Sequence, residues 1–371
     1  QLHRTNDGEN YLAFVHERGV VVASTGDLRT EHWMSTLTLF PEGSPRGLFR
    51  SPGAGVACLA AFFALLPWLV PDYQQVFIAE ILIWGLFAMS FALVFGFGGM
   101  LSFAQAVFFG AGCYGFNLGT YYFGFNTWGA VFSAVVAAVL FAIPVGFIAT
   151  RVRHHHFLIV TVIISVLVVT VLASGHWKWI AGPYVTRSLT FVPEVPLGFV
   201  TFSFFKEEVA YYFTVVMVGA AFFVCRRIIN SAFGRAMLAV KDNEARAQMI
   251  GLNVKRLRWM LFIIAAGVAG YAGALYALLA RYTNLEFFHW VYSGKAIVMA
   301  MIGGVGSLAG PFVGTAFYMI STEYLSRFFE QFIIVFGVIL LIVIRYAPEG
   351  LWGLILRGIR ELGQHENVTK P

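Results

Sequence analysis

The chain has 371 residues, 59% of them hydrophobic and only 12% charged, with a net charge of +6. A soluble domain carries about 25% charged residues, and none could run from Ile81 to Thr150 without one Asp, Glu, Lys or Arg, because its helices need a wet face. The only cysteines, Cys58, Cys113 and Cys225, lie in apolar runs; a secreted disulfide scaffold is excluded, and the pattern is that of a polytopic membrane protein.

Residues 1–45 form a polar N-terminal extension without an apolar run long enough for a signal peptide. Met34 reads as a natural start, which would make 1–33 foreign to the membrane protein; the other reading is a poorly ordered cytoplasmic tail. Neither assigns it transport chemistry. A transmembrane domain follows over 46–354. Apolar spans of bilayer length are predicted at 53–70, 74–95, 103–123, 127–150, 156–173, 208–226 and 258–280, with shorter or interrupted ones near 294–306, 311–326 and 331–346. The expected fold is all-α, a bundle of about ten transmembrane helices, some broken by glycine. With the N-terminus inside, 16 Lys/Arg fall on one face and five (Lys178, Arg187, Lys206, Arg281 and Arg327) on the other. By the positive-inside rule both termini are cytoplasmic. The basic balance therefore reflects topology, and no nucleic-acid partner is expected. Residues 355–371 are a cytoplasmic tail, reached through the Pro348-Glu349-Gly350 turn.

Motifs of soluble enzymes do not fit. Gly294-Lys295 lacks the upstream Gly and the following hydroxyl of a phosphate loop. Gly304-Val-Gly306-Ser-Leu-Ala309 follows a membrane segment and has no ribose-binding acid in a βαβ context. Gly306, Gly310 and Gly314 instead repeat at the small-xxx-small spacing that lets membrane helices approach closely. His154, His155 and His156 point about 100° apart on a helix and cannot share one tetrahedral ion, so no metal site is expected.

Two glycine-rich segments interrupt apolar runs: Gly96 to Gly110, with Ser102 and Gln105, and Gly303 to Gly314, with Gly304 and Ser307. Unwound backbone at membrane depth survives only against protein or a water-filled cavity, and transporters build substrate paths from broken helices. Tight packing around a short turn explains the glycines equally well. Glu80 and Lys295 are charges inside apolar spans; such residues usually pair or line a cavity, and both also fit an interfacial position near the outer boundary. These residues (Ser102, Gln105, Glu80, Lys295, Gly303, Gly304 and Ser307) are the candidate translocation path. The 174–207 loop, with Trp177, Trp179, Tyr184 and Arg187, is either an aromatic belt or a docking site for an external partner.

The segment from Arg226 to Arg258, with the 227–257 loop inside it, carries eight of the 16 Lys/Arg of its face, and Asp242 and Glu244 are its acids. Ser231 and Gly234 can open a helix there, Ala236 to Ile250 supplies good helix formers, and Gly251 can close it. Such an amphipathic helix suits docking to a soluble partner.

These residues resemble a known family. Ser231, Gly234, Arg235, Ala239, Asn243, Glu244, Ala247, Gly251, Asn253 and Val254 match the coupling segment of LivM-type permeases, membrane subunits of importers for branched-chain amino acids and related amides, urea or organic acids. The resemblance continues through GGMLSFAQAVFFGAGCY (98–114), GVAGYAGALYA (267–277), GGVGSLAGPFVG (303–314) and APEGLWGL (347–354). It implies an inner-membrane permease that pairs with a second permease, two cytoplasmic ATPase subunits and a periplasmic solute-binding protein, and works by alternating access. ATP and Mg would be bound by the partner ATPases, with no cofactor and no catalytic residue on this chain. Gly234, Arg235, Ala239, Asn243, Glu244, Gly251 and Asn253 would couple to the ATPases. The alternative is a self-sufficient ion-coupled secondary transporter or channel working through Glu80 and Lys295. The chain departs from the family's usual pattern at Ala181-Gly182-Pro183-Tyr184, at His154–His156, at Ala104 and at Lys295, where Glu is common; the last change would favour an anionic solute.

Overall fold

The computed structural model describes residues 2–4, 10–16, 19–24, 66–68, 70–151, 154–174, 176, 186–189, 195–197, 200–202, 204 and 206–328, with scattered positions from 334 to 357. The chain divides into two units, Gln1–Ser44 and Pro45–Pro371. In the first, β1 (Leu2–Arg4), β2 (Asn10–His16) and β3 (Gly19–Ser24) form an antiparallel sheet in that order. The β2–β3 register closes at His16↔Gly19, and the β-branched run Val20-Val21-Val22 suits a pleated strand. The all-α expectation applies to the second unit, whose described residues are mostly helical with four short strands between the helices.

That unit is a helical bundle. Helix α1 (Asp72–Ala92) continues into a π-helical turn, Leu93–Phe97. It is followed by α2 (Gln105–Phe123), α3 (Thr127–Ala149), α4 (His154–Ala173) and α5 (Glu207–Ile229). Two short helices, α6 (Ala232–Asp242) and α7 (Glu244–Met249), lead into the long α8 (Val254–Ala280). A 3-10 turn (Leu285–Phe288), α9 (Trp290–Gly303) and α10 (Gly310–Phe328) complete the described bundle. Among the described residues, five helices are long and apolar enough to cross a membrane: Asp72–Phe97, Thr127–Ala149, His156–Ala173, Glu207–Ile229 and Val254–Ala280. The expected spans at 53–70 and 331–346 lie largely outside the described residues. Between α4 and α5, β4 (Thr186–Ser188) pairs with β7 (Tyr282–Asn284), and β5 (Val195–Leu197) with β6 (Val200–Phe202).

The core forms where α8 crosses α2, α3 and α1. Small residues bring the backbones together. A Cβ on Gly112 of α2 would fall on the Gly270 backbone of α8, and one on Gly273 would fall on the Phe109 carbonyl. The Cys113 thiol donates to the Gly273 carbonyl at 3.2 Å in the same crossing. In a bilayer, where lipid tails are as apolar as leucine, such close packing rather than hydrophobicity drives helix association. Helix α3 gives the core one face, lined by Ala130, Ala134, Ala138 and Ala142, and α4 lies at the periphery. Their large apolar side chains, among them Phe132, Leu140, Ile163 and Leu167, are exposed from the bundle, as lipid-facing residues would be.

Candidate functional site

The 231–258 loop is built by its polar side chains. Ser231 stands before α6, and Gly234 packs so closely on Ile229 that a Cβ would meet its carbonyl. Arg235 donates to the Asn230 carbonyl at 3.0 Å, and Ala239 is half-buried along α6. The single helix expected over 236–250 is in fact broken at Asn243, whose backbone is extended (φ −155°, ψ 103°). Its Oδ1 accepts from Arg246 N at 2.9 Å and so caps α7. Gly251 turns the chain at φ +86°, a conformation that favours glycine, and the Asn253 Oδ1 caps α8 by accepting from Arg256 N at 3.1 Å. Glu244 pairs with Arg258 at 2.8 Å and thereby fastens α7 to α8. At the tip, Met249 and Ile250 are 81% and 70% exposed, unusual for large apolar side chains next to water.

One contact here had no counterpart in the sequence reading. Lys241, in the last turn of α6, sends its Nζ to the buried carbonyl of Gly96 at 2.6 Å. Although Lys241 as a whole counts among the exposed residues of the loop, this bond is partly buried. Burial pushes its ammonium below the ordinary lysine value, while the neighbouring Asp242 pulls it back up.

The candidate path residues fall into three places. The first is where the two helix breaks meet. Gly96 lies in the π-helical turn of α1, and a Cβ there would land on the Val305 carbonyl. In that second break Gly304 has φ +104° and backs onto Gly350, and Gly303 lies against Gly310 and Gly314 across the α9–α10 turn. Ser307 caps α10 by accepting from Gly310 N at 2.9 Å. The glycine spacing read as a packing motif therefore makes the hairpin between α9 and α10.

The second place is the start of α2, inside the bundle. Ser102 Oγ accepts from Ala104 N at 3.2 Å. Ser293 Oγ donates to the Phe103 carbonyl at 2.7 Å and accepts from Ala106 N at 2.8 Å. Thr161 Oγ1 accepts from Phe103 N at 3.1 Å. Side chains of α4 and α9 thus satisfy the irregular backbone, as membrane depth requires. Gln105 is fully buried; its Oε1 accepts from Ser90 Oγ at 3.4 Å, and among the described residues its Nε2 has no partner.

The third is an aromatic cluster. Trp84 stacks on Phe109 (5.3 Å between ring centroids) and on Tyr292 (5.9 Å), with Tyr276 edge-on at 5.4 Å. The Trp84 Nε1 donates to Glu80 at 3.2 Å, and the Lys295 ammonium lies 4.6 Å from the Tyr292 ring centre. Ser293 touches the start of α2 and Tyr292 stacks on Trp84, so Lys295, two and three residues further along α9, stands beside the ring cluster. Among the described residues neither Glu80 nor Lys295 has an ion-pair partner. Of the proposed outer docking residues, Trp177, Trp179 and Tyr184 lie outside the described residues, as does the side chain of Arg187, whose backbone forms the middle of β4.

The comparisons with known proteins point to one family. A family model described as "Branched-chain amino acid transport system / permease component" matches residues 74–344. The high-affinity branched-chain amino acid transport system permease protein LivM of Escherichia coli (strain K12) is 25% identical over 280 residues, which is 70% of this chain and 65% of the relative. A probable branched-chain amino acid transport permease protein LivM of Methanocaldococcus jannaschii is 27% identical over 140 residues, 34% of this chain and 41% of that one. The permease protein LivH of E. coli (strain K12) is 29% identical over 127 residues, 33% of this chain and 40% of that one. The chain spans 65% of the length of that E. coli LivM relative. Since the family model covers 74–344, both helix breaks and the intervening loop included, the chain belongs to the family of branched-chain amino acid transport system permease components.

Proposed function

We propose that the chain is the permease subunit of a bacterial inner-membrane ATP-binding cassette importer, carrying a branched-chain amino acid or a related amino acid, amide or organic acid by alternating access. It would work with a second, homologous permease, two cytoplasmic ATPase subunits that bind ATP and Mg, and a periplasmic solute-binding protein. The observation that carries this reading is the 231–258 loop. It is a pair of helices held by caps and an ion pair between two membrane-length helices, α5 and α8, and it presents exposed Met249 and Ile250. An exposed apolar tip on a rigid support is what a partner protein would cover, and a solitary transporter has no use for it. Closure of the ATPases would push α6 and α7; the membrane helices would then exchange between two packings, one open to each side.

The test is purification of the chain from its native membranes in mild detergent, followed by native mass measurement. Two ATPase subunits and a second permease in the particle are expected. A stable monomer or homodimer free of ATPases would replace this reading with an ion-coupled transporter working through Glu80 and Lys295.

A further inference from the structure

We propose that Lys241 is a positioning residue for transport: it carries displacement of the 231–258 loop directly to the point where the two broken membrane helices touch. This rests on the importer reading above. The geometry is specific. At the end of α1 the Val94 and Phe95 carbonyls are taken by the backbone N–H groups of Met100 and Gly99, whereas the Gly96 carbonyl is taken by Lys241. The stem of the same lysine passes over Gly99, whose ideal Cβ position is 3.5 Å from Lys241 Cγ. The other side of Gly96 is closed by the Val305 carbonyl of the second break, and the adjacent Gly304 is backed by Gly350. A loop side chain, the first break and the second break therefore meet at one residue with no slack between them.

The loop is built to move Lys241. Its helix stops two residues later at Asn243, where the extended backbone makes a joint, and the far side of that joint is α7, fastened to α8 by Glu244 and Arg258. A push on the exposed Met249–Ile250 tip rotates α7 about Asn243 and draws the end of α6 with it. The bond to Gly96 is short and charge-assisted, a strong class of hydrogen bond, and single π-turns such as Leu93–Phe97 recur at functional sites. The competing role is that of a plain cationic cap on the C-terminal end of α1, which would stabilise the fold without transmitting anything.

The two roles separate in the assembled complex reconstituted in liposomes with its binding protein. In Lys241→Met we expect the ATPases to co-purify in unchanged stoichiometry and basal ATP hydrolysis to stay within twofold. Uptake should drop at least tenfold, so that ATP hydrolysed per solute moved rises by the same factor; Lys241→Arg, which keeps a cation of similar reach, should restore a good part of it. A plain cap would lower thermal stability while leaving the ATP-per-solute ratio unchanged, and an unchanged ratio overturns the proposal. Should the Met variant not assemble, Lys241→Gln takes its place under the same criteria. Failure of the importer reading looks different, because the unaltered chain would then carry no ATPases at all.

Discussion

Along α1 the molecule is held together in two unlike ways. At Trp84, in the middle of the helix, ring meets ring: Phe109, Tyr276 and Tyr292 surround the indole, and the charges of Glu80 and Lys295 attach to the rim of the cluster. At Gly96, twelve residues and about 18 Å further on, backbone meets backbone, with Val305 on one side and Lys241 on the other. Rings can slide and re-pack, and a lost hydrogen bond there removes one contact among many. A carbonyl lying where a Cβ would be leaves no room for one unless the whole α9–α10 turn moves. The middle of α1 should therefore tolerate substitution and tune which solute passes, whereas its end should tolerate almost nothing and set whether the helices move.

The hardest test of that contrast is Gly303→Val. Two backbone segments, at Gly310 and Gly314, lie against Gly303, so the added carbons must separate α9 from α10. Ordinary overpacking costs about 1–3 kcal/mol; meeting backbone instead of side chain puts this substitution at or above the top of that range. The expected outcome is loss of monodisperse protein on size-exclusion chromatography in detergent. A well-behaved peak with normal thermal unfolding would refute the claim that this contact is rigid.

Next in size is Glu244→Arg. The ion pair with Arg258 is partly exposed, Glu244 by 46%, and a pair in that setting adds about 0–1 kcal/mol. Folding and membrane insertion should survive. Two arginines facing each other would nevertheless push α7 off α8 and spoil the docking surface, so uptake should fall more than tenfold. Combining it with Arg258→Glu restores the pair in reverse and should recover part of the uptake. If the double variant stays as inactive as the single one, the carboxylate itself rather than the α7–α8 joint is what the partner needs.

The sequence makes much of the bundle legible because membrane spans are written as long charge-free runs. The span expected at 127–150 forms as Thr127–Ala149. The one expected at 258–280 begins earlier, at Val254, since Asn253 caps it and Lys255 and Arg256 make its first turn polar. Hydropathy does not say which side a helix faces. The apolar α4 is mostly exposed from the bundle, whereas α1, with its lower mean hydropathy, is mostly buried in it. In lipid, apolarity marks contact with the bilayer, and burial is marked by glycine, alanine and serine. Residue strings also hid local competition. Asn243 sits among good helix formers, but its side chain gains more by capping the next turn than by continuing the helix. The contact between Lys241 and Gly96 joins positions 145 residues apart; locally, Lys241 reads only as one positive charge among several. The path residues otherwise keep their sequence grouping, Ser102 with Gln105 and Gly303 and Gly304 with Ser307, whereas Glu80 and Lys295, far apart in the chain, come to one ring cluster only through the fold.

The third test probes the ring cluster. If Lys295 offers its charge to a passing solute, Lys295→Glu should reduce uptake of acidic solutes several-fold while changing that of neutral amides by less than twofold. The cation–π contact with Tyr292 contributes about 0.5–1 kcal/mol at most in a half-exposed setting, so the protein should remain folded. Unchanged uptake of every acid tried would end the idea that this position selects for anions.

The smallest effect belongs to Trp84→Phe. The six-membered ring keeps the stack with Phe109 and Tyr292, and only the indole N–H to Glu80 disappears. A hydrogen bond to a charged acceptor is worth about 1.5–3 kcal/mol when buried, but Glu80 is only half-buried and can turn to water or a neighbouring dipole. A drop of no more than a few degrees in melting temperature is expected, with uptake kept within about threefold. Trp84→Ala, which removes the stack itself, should be much worse. If the two substitutions were equally damaging, the hydrogen bond and not the ring packing would be holding the middle of α1, and the contrast with Gly96 would disappear.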